Sequence, residues 1–345
     1  MTKAILNAPF IPVATRMASH RGAQGAIYAD MIKQTGVDIT INYSGKIEDH
    51  NNYDEMYVYH GNDWSGSMNV FGGVKGFPYA ANTRNFSKFK GKVYSLAIDF
   101  PPYHEMIQER IDKAKAKGND IQSEWLEVDI DNLKRMYETA QTIKYPLITN
   151  KLVIGDSHSI CMYRPSWTVN SVPFKTLNGA LNDGLQTYIN DFGNIKELEC
   201  YFGNIDIRHH VCRLDGDFLE NTINLAERYI TAVEALPIEN VSIYELLPIE
   251  HTSRKLPKSG YYKDQPFWGT WEQRNEARLK FREILETKTK RAKIIRWVNK
   301  LTNREGELDF DYMEKPQSIH LSRQYYPHWT GEEISNTLED FFDDI

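Results

Sequence analysis

KLVIGDSHS, residues 151–159, is the stretch on which the fold turns. Lys151 to Ile154 read as a strand whose Leu152, Val153 and Ile154 form a short apolar run, as in a parallel sheet. Gly155 permits a tight turn directly after it. Asp156, Ser157 and Ser159 are all residues that cap helix N-termini. A strand that passes into a polar turn and then a helix is the start of a βαβ unit, and in open α/β sheets functional residues collect at the carboxyl ends of the strands. Ser157 therefore reads either as a nucleophile at a sheet edge or as part of a helix cap.

The same alternation extends in both directions. Towards the C-terminus, Glu197 to Phe202 is a strand that runs into GNIDIRHH, Phe218 to Leu236 an amphipathic helix, Val241 to Leu247 a strand, and Trp271 to Glu286 a helix. Towards the N-terminus, strands are expected at Ala4 to Leu6, Val37 to Tyr43, Met56 to Tyr59 and Lys92 to Ile98. Helices are expected at Ala23 to Gly36 and across Asn119 to Thr142. The fold class is α/β, with two Rossmann- or flavodoxin-like domains on parallel sheets. Tyr145-Pro146 is the expected boundary, since proline interrupts the preceding helix. The domains are then 1–146, 147–330 and an acidic tail, 331–345.

Two further motifs could carry chemistry. In FGNIDIRHH, residues 202–210, Asn204, Asp206, Arg208, His209 and His210 crowd the end of one strand. A carboxylate, a guanidinium and two imidazoles suit an anionic or acyl substrate, while the competing reading is a capped turn with Arg208 paired to Asp206. Metal binding is not expected, because adjacent histidines cannot easily share an ion and no HExxH or Cys-His spacing exists. In PQSIHLS, residues 316–322, His320 lies beyond the last expected strand, where it could serve Ser157 as a general base.

GDSHS, the Gly-Asn strand end and the late His-Leu-Ser resemble the SGNH (GDSL-type) hydrolase superfamily, over about Thr149 to Ser322. The resemblance implies a three-layer α/β/α domain acting as a serine esterase or acyl transferase on an ester-bearing, anionic small-molecule or glycan substrate, without a cofactor. It makes Ser157 the nucleophile, His320 the base, Asn204 an oxyanion donor, and Gly179 or Gly184 the glycine of the second motif. Asp156, His158, Asp206, Arg208, His209, His210 and Arg213 would line the substrate. The chain departs from the family at two points. Its Gly203-Asn204-Ile205-Asp206 sets the asparagine one place early, and Gln317 stands where an aspartate usually supports the base. Asp309, Asp311 or Glu314 could replace that carboxylate, a Ser–His dyad could suffice, or the domain could be a non-catalytic binding protein.

The N-terminal half resembles GT-B glycosyltransferases, in particular phage enzymes that modify 5-hydroxymethylated bases in DNA, through Phe71-Gly72-Gly73 and the lysine-rich segment before KVYSLAI. That alternative implies a nucleotide-sugar donor gripped by Arg208, His209 and Arg213, and DNA held by Arg84, Lys88, Lys90 and Lys92.

Composition bounds these readings. The 345 residues are 41% hydrophobic and 26% charged, ordinary for a folded chain. Three cysteines, none in a CxxC pair, fit a reducing cytosol, that of a host cell if the gene is phage-borne. No window reaches the roughly 20 apolar residues of a membrane helix, so no membrane partner is expected. The net charge of −6 argues against nucleic acid, but it is unevenly spread: residues 271–300 hold 10 basic and 4 acidic side chains, residues 301–345 hold 3 and 11. Local charge, not the total, governs contact with an anionic polymer.

Overall fold

A computed structural model describes residues 1–7, 20–42, 49–59, 85–96, 99–118, 126–143, 150–172, 175–254, 267–297, 301–314 and 318–328. The chain divides into two compact units, the main crossover lying between Pro146 and Leu147.

The first unit is built on β1 (Lys3–Asn7), β2 (Asp38–Asn42), β3 (Glu55–Tyr59), β4 (Lys92–Leu96) and β5 (Gln141–Ile143), with helices α1 (His20–Lys33), α2 (Tyr103–Ala116) and α3 (Ile130–Thr139). The strands pair in parallel in the order β2-β1-β3-β4-β5. Alternate residues serve opposite faces, as strand geometry requires. Ala4, Leu6, Tyr57 and Tyr59 pack in one cluster, and Ile5, Met56 and Val58 pack with Phe89 and Leu133 in another. At the carboxyl ends, Asn42 Nδ2 donates to Asn7 Oδ1 at 2.8 Å, and the buried His50 ring meets the same oxygen through Nε2 at 3.1 Å.

The second unit holds β6 (Lys151–Asp156), β7 (Thr168–Val172), β8 (Glu197–Tyr201), β9 (Asn240–Tyr244) and β10 (Lys293–Ile295). Its helices are α4 (Leu177–Asp183), α5 (Asn204–His209), α6 (Phe218–Glu234) and α7 (Trp271–Lys288). The sheet order is β10-β9-β8-β6-β7, again wholly parallel. Counted within its own unit, each sheet reads 2-1-3-4-5, the flavodoxin-like order, whose reversal point lies between the first and third strands. Leu152, Val153 and Ile154 are fully buried, which accounts for the unbroken apolar run of β6. α6 brings Ala226, Tyr229 and Val233 to the core, and α7 brings Ala277, Phe281 and Leu285. Thr270 and Gln273 form a reciprocal capping box at the start of α7.

Both sheets are as the sequence reading expected in class, while several elements differ in detail. Gln141 and Thr142, expected at the end of a long helix, join Ile143 in an edge strand beside β4: the helix stops at Thr139, and Ala140 is already extended. Asn204 to His209, read in the sequence as a polar motif or capped turn at a strand end, form the helix α5, and His210 caps it. The 331–345 tail, Phe71-Gly72-Gly73, Arg84 and Gln317 lie outside the described residues.

Candidate active site

β6 delivers Asp156 and Ser157 to the carboxyl edge of the second sheet, and β8, its neighbour across the reversal point, delivers Gly203 and Asn204. Gly155 makes that approach possible. It stands opposite Tyr201 in the sheet, and a Cβ there would lie 2.4 Å from both the Tyr201 carbonyl oxygen and Ser159 Cβ. One of those atoms is backbone and cannot rotate aside. Gly155→Ala is therefore expected to destabilise the fold by at least about 2 kcal/mol, the cost of overpacking a tight interior, measured as the loss in urea unfolding free energy against wild type. Gly203 is needed for another reason: its φ of +115° starts α5 from a backbone conformation that side chains disfavour.

Ser157 opens a 3-10 turn that runs to Met162, and its Oγ lies 2.9 Å from His320 Nε2. These two groups are 163 residues apart in the chain and half-buried. For Nε2 to accept the hydroxyl proton, the imidazole carries its own proton on Nδ1. On that side stands the buried Glu314 carboxylate, 3.7 Å away, an ion-pair distance and not yet a hydrogen bond. The local chain fixes this arrangement. Met313 and Leu321 form an antiparallel bridge, Glu314 N–H donates to the His320 carbonyl at 2.9 Å, and Ser318 Oγ donates to Glu314 Oε1 at 2.9 Å while accepting from His320 N–H. Of the three acids weighed for this place, Glu314 occupies it. Asp309 instead caps a short turn through Asp311 N–H, and Asp311 is exposed.

Beneath the pair, Asp156 Oδ1 accepts from both His158 N–H and His158 Nδ1. Both residues are buried and joined to each other, and Asp156 is the cap of the turn, so the structure gives the pair a local structural place in contrast to the substrate-lining one expected. Burial outweighs the Asp156 charge and lowers the His158 imidazole to about 4. A neutral ring thus sits 4.8 Å from that of His320, centroid to centroid, and does not oppose positive charge there.

The other expected site residues divide sharply. Asn204 is buried at the mouth of β8, with Oδ1 accepting from Leu247 N–H and Arg208 Nη1 and with Nδ2 left without an acceptor. Gly179 is not placed as an oxyanion donor, because its N–H is given to Thr176 Oγ1, the cap of α4. Gly184 ends the same helix. Asp206 is not a substrate ligand: its carboxylate accepts from Leu177 and Asn178 N–H, at 2.6 and 3.0 Å, and ties α5 to the start of α4. Burial still raises that carboxyl to about 6, against the two backbone donors. Arg208 does not pair with Asp206 and faces no solvent. It is fully buried, and its donors go to Glu250, Asn204 and the Pro248 carbonyl.

His209, nearly buried, stacks on Phe267, and burial pulls its imidazole down to about 3. His210 and Arg213 lie further out, with the Arg213 guanidinium 5.8 Å from the ring centre of the exposed Trp268. In the first unit, Lys90 pairs with Asp129 at 3.2 Å, and Lys88 and Lys92 are exposed. Sequence reasoning missed Glu250, the partner of Arg208, 42 residues further along the chain and with no local motif around it. Among the described residues no helix is long and apolar enough to cross a membrane.

No family model matches the chain, and no curated protein does either. Among solved structures, it is similar to a Streptococcus pneumonia protein named for platelet activating factor, over 52% of this chain and 79% of that one, with 18% identity and a TM-score of 0.37. It is also similar to the OSK domain of Drosophila Oskar, over 51% and 77%, with 13% identity and a TM-score of 0.31.

Proposed function

We propose that the second unit is a serine hydrolase or acyl transferase in which Ser157 attacks an ester carbonyl. The observation that carries this reading is the 2.9 Å contact between Ser157 Oγ and His320 Nε2, with a carboxylate on the far side of the imidazole. A wide separation would have favoured a binding protein without chemistry.

In the first step Ser157 Oγ bonds to the carbonyl carbon as its proton passes to His320 Nε2. The carbonyl oxygen becomes an oxyanion, and Asn204 Nδ2, buried and without an acceptor, is the side-chain donor available to it. Glu314 stabilises the imidazolium, a role a neutral amide could not fill. The imidazolium then protonates the departing alkoxide as the ester C–O bond breaks, leaving an acyl group on Ser157. Water, or the hydroxyl of an acceptor, attacks that acyl group with His320 again taking the proton and returning it to Ser157 Oγ as the acyl–Oγ bond breaks; the first outcome is hydrolysis and the second transfer. With Arg208 withdrawn into the interior, recognition of an anionic portion of the substrate falls to His210 and Arg213.

The test is covalent labelling with a fluorophosphonate. Wild type is expected to take up one equivalent, with the adduct mapped by mass spectrometry to the peptide containing Ser157, and Ser157→Ala to take up none. Equal labelling of the two, or no labelling of wild type, would remove the nucleophile.

A further inference from the structure

Taking Ser157 as the nucleophile, as proposed above, we infer that Arg208, held by Glu250, is the positioning residue that turns the Asn204 amide so that its N–H, and not its oxygen, faces the developing oxyanion.

The argument begins with where each donor of Arg208 goes. Nε donates to Glu250 Oε2 at 2.8 Å, Nη2 to the Pro248 carbonyl at 2.9 Å and Nη1 to Asn204 Oδ1 at 3.1 Å. The planar fork is thereby fixed on three sides, and Arg208 is fully buried. Leu247 N–H adds a second donor to Asn204 Oδ1 at 3.2 Å. An amide oxygen has two lone pairs, and both are now occupied. Because the amide group is planar, Nδ2 points the other way, where it is buried and meets no acceptor. The protonated Tyr201 hydroxyl is a polar neighbour of this amide, but it is itself buried and makes no hydrogen bond of proper geometry with Nδ2. A buried amide donor with no partner is rare in folded proteins and calls for a ligand or a transient charge to receive it.

An asparagine amide can occupy either of two orientations related by a half-turn, and the surrounding donors choose between them. With Arg208 and Leu247 in place, the reversed amide would aim two N–H groups at two other donors. Without Arg208 the reversed state loses half of that penalty. Oδ1 would then face the oxyanion and repel it. Charge acts in the same direction. Glu250 contacts Arg208, Arg254 at 3.1 Å and Arg274 at 4.0 Å, so three guanidinium groups share one carboxylate. Burial alone would raise the Glu250 carboxyl, but the three arginines hold it down at about 2. The cluster stays ionised and carries a surplus of positive charge directly behind Asn204.

The experiment is a double-mutant cycle on hydrolysis of p-nitrophenyl acetate, run beside fluorophosphonate labelling of each variant. Asn204→Ala is expected to lower kcat by about 10²–10³-fold, the effect of losing one oxyanion donor. Arg208→Lys keeps the charge but loses the fork. It is expected to lower kcat by at least about 10-fold with KM unchanged within a factor of two, an effect acting through that donor. In the Asn204→Ala background Arg208→Lys should cost nothing more, because no amide remains to be oriented. An equal loss in both backgrounds would make Arg208 merely structural, and a rise in KM at constant kcat would make it a substrate ligand; either overturns the inference. Should Arg208→Lys fail to fold, Glu250→Gln replaces it in the cycle, with the same non-additivity expected and the same outcomes overturning it. Absence of wild-type labelling removes the serine-hydrolase reading and this inference with it. Wild-type labelling with an additive cycle removes the inference alone.

Discussion

His320→Ala is expected to lower kcat for ester hydrolysis by about 10⁴-fold or more, about as much as Ser157→Ala, and the double variant should be no slower than either. The reason is that the two groups act as one device. Ser157 Oγ is 2.9 Å from Nε2, and no other side chain is seen bonded to that hydroxyl among the described residues. A serine hydroxyl without its base is a poor nucleophile at neutral pH. The neighbouring His158 cannot take over: its Nδ1 is bound to Asp156, it is fully buried, and its imidazole resists protonation down to about pH 4. Glu314→Gln should be milder than either, because Glu314 meets the imidazole at 3.7 Å and acts by charge and orientation. Initial rates on p-nitrophenyl acetate check the set. A His320→Ala enzyme retaining a tenth of wild-type kcat would show that the base lies elsewhere.

The contrast between Ser157 and Arg208 shows where a sequence can be read in physical terms. Ser157 is legible because its placement is local: an apolar run, a glycine and a polar turn put it at a strand end whatever the rest of the chain does. His320 has a weaker local signal. Its place beyond the last expected strand suggests a base and the resemblance pairs it with Ser157, but a contact spanning 163 residues leaves no trace in periodicity. Arg208 sits in an equally suggestive motif, yet the same local reading sent it to the surface. Charge in a sequence does not reveal burial, and the carboxylate that makes burial tolerable, Glu250, belongs to the segment after β9. Asp206 repeats the lesson, because its true partners are backbone N–H groups of α4, which no residue type announces. Among the strands, β6, β8 and β9 were legible as apolar runs. TVNSV of β7 and the three residues of β10 were not, because edge strands carry polar residues and rely on pairing with a neighbour.

Acid should begin to destabilise this protein above the ordinary carboxylate range, and the largest cause is three histidines. Burial holds His50 and His158 at about 4 and His209 at about 3, against an ordinary 6.5. A histidine whose folded value is depressed stabilises the fold fully above its unfolded value, and that contribution drains away as pH falls from about 6.5 towards 4, because the unfolded chain binds the proton first. Asp206 opposes this. Its folded value is raised to about 6, so it takes up a proton in the native state that the unfolded chain does not yet bind, and adds stability over the same interval. Three protons favouring the unfolded chain against one favouring the native leaves a difference of at least about two, since burial also lowers His210 and His328 and these add in the same direction. The expected slope is then at least about 2.7 kcal/mol of stability lost per pH unit between roughly 5.5 and 4. Urea unfolding at pH 7.5, 6.0, 5.0 and 4.5 measures it. His158→Asn retains a donor for Asp156 and removes the titrating ring, so it should flatten the profile by about one proton. His50→Gln, which can still donate to Asn7 Oδ1, should do the same for the first unit. A wild-type profile level from pH 7.5 to 4.5 would mean that these rings are protonated in the folded protein at little cost, and that the buried, neutral state assigned to His158 beside His320 is wrong.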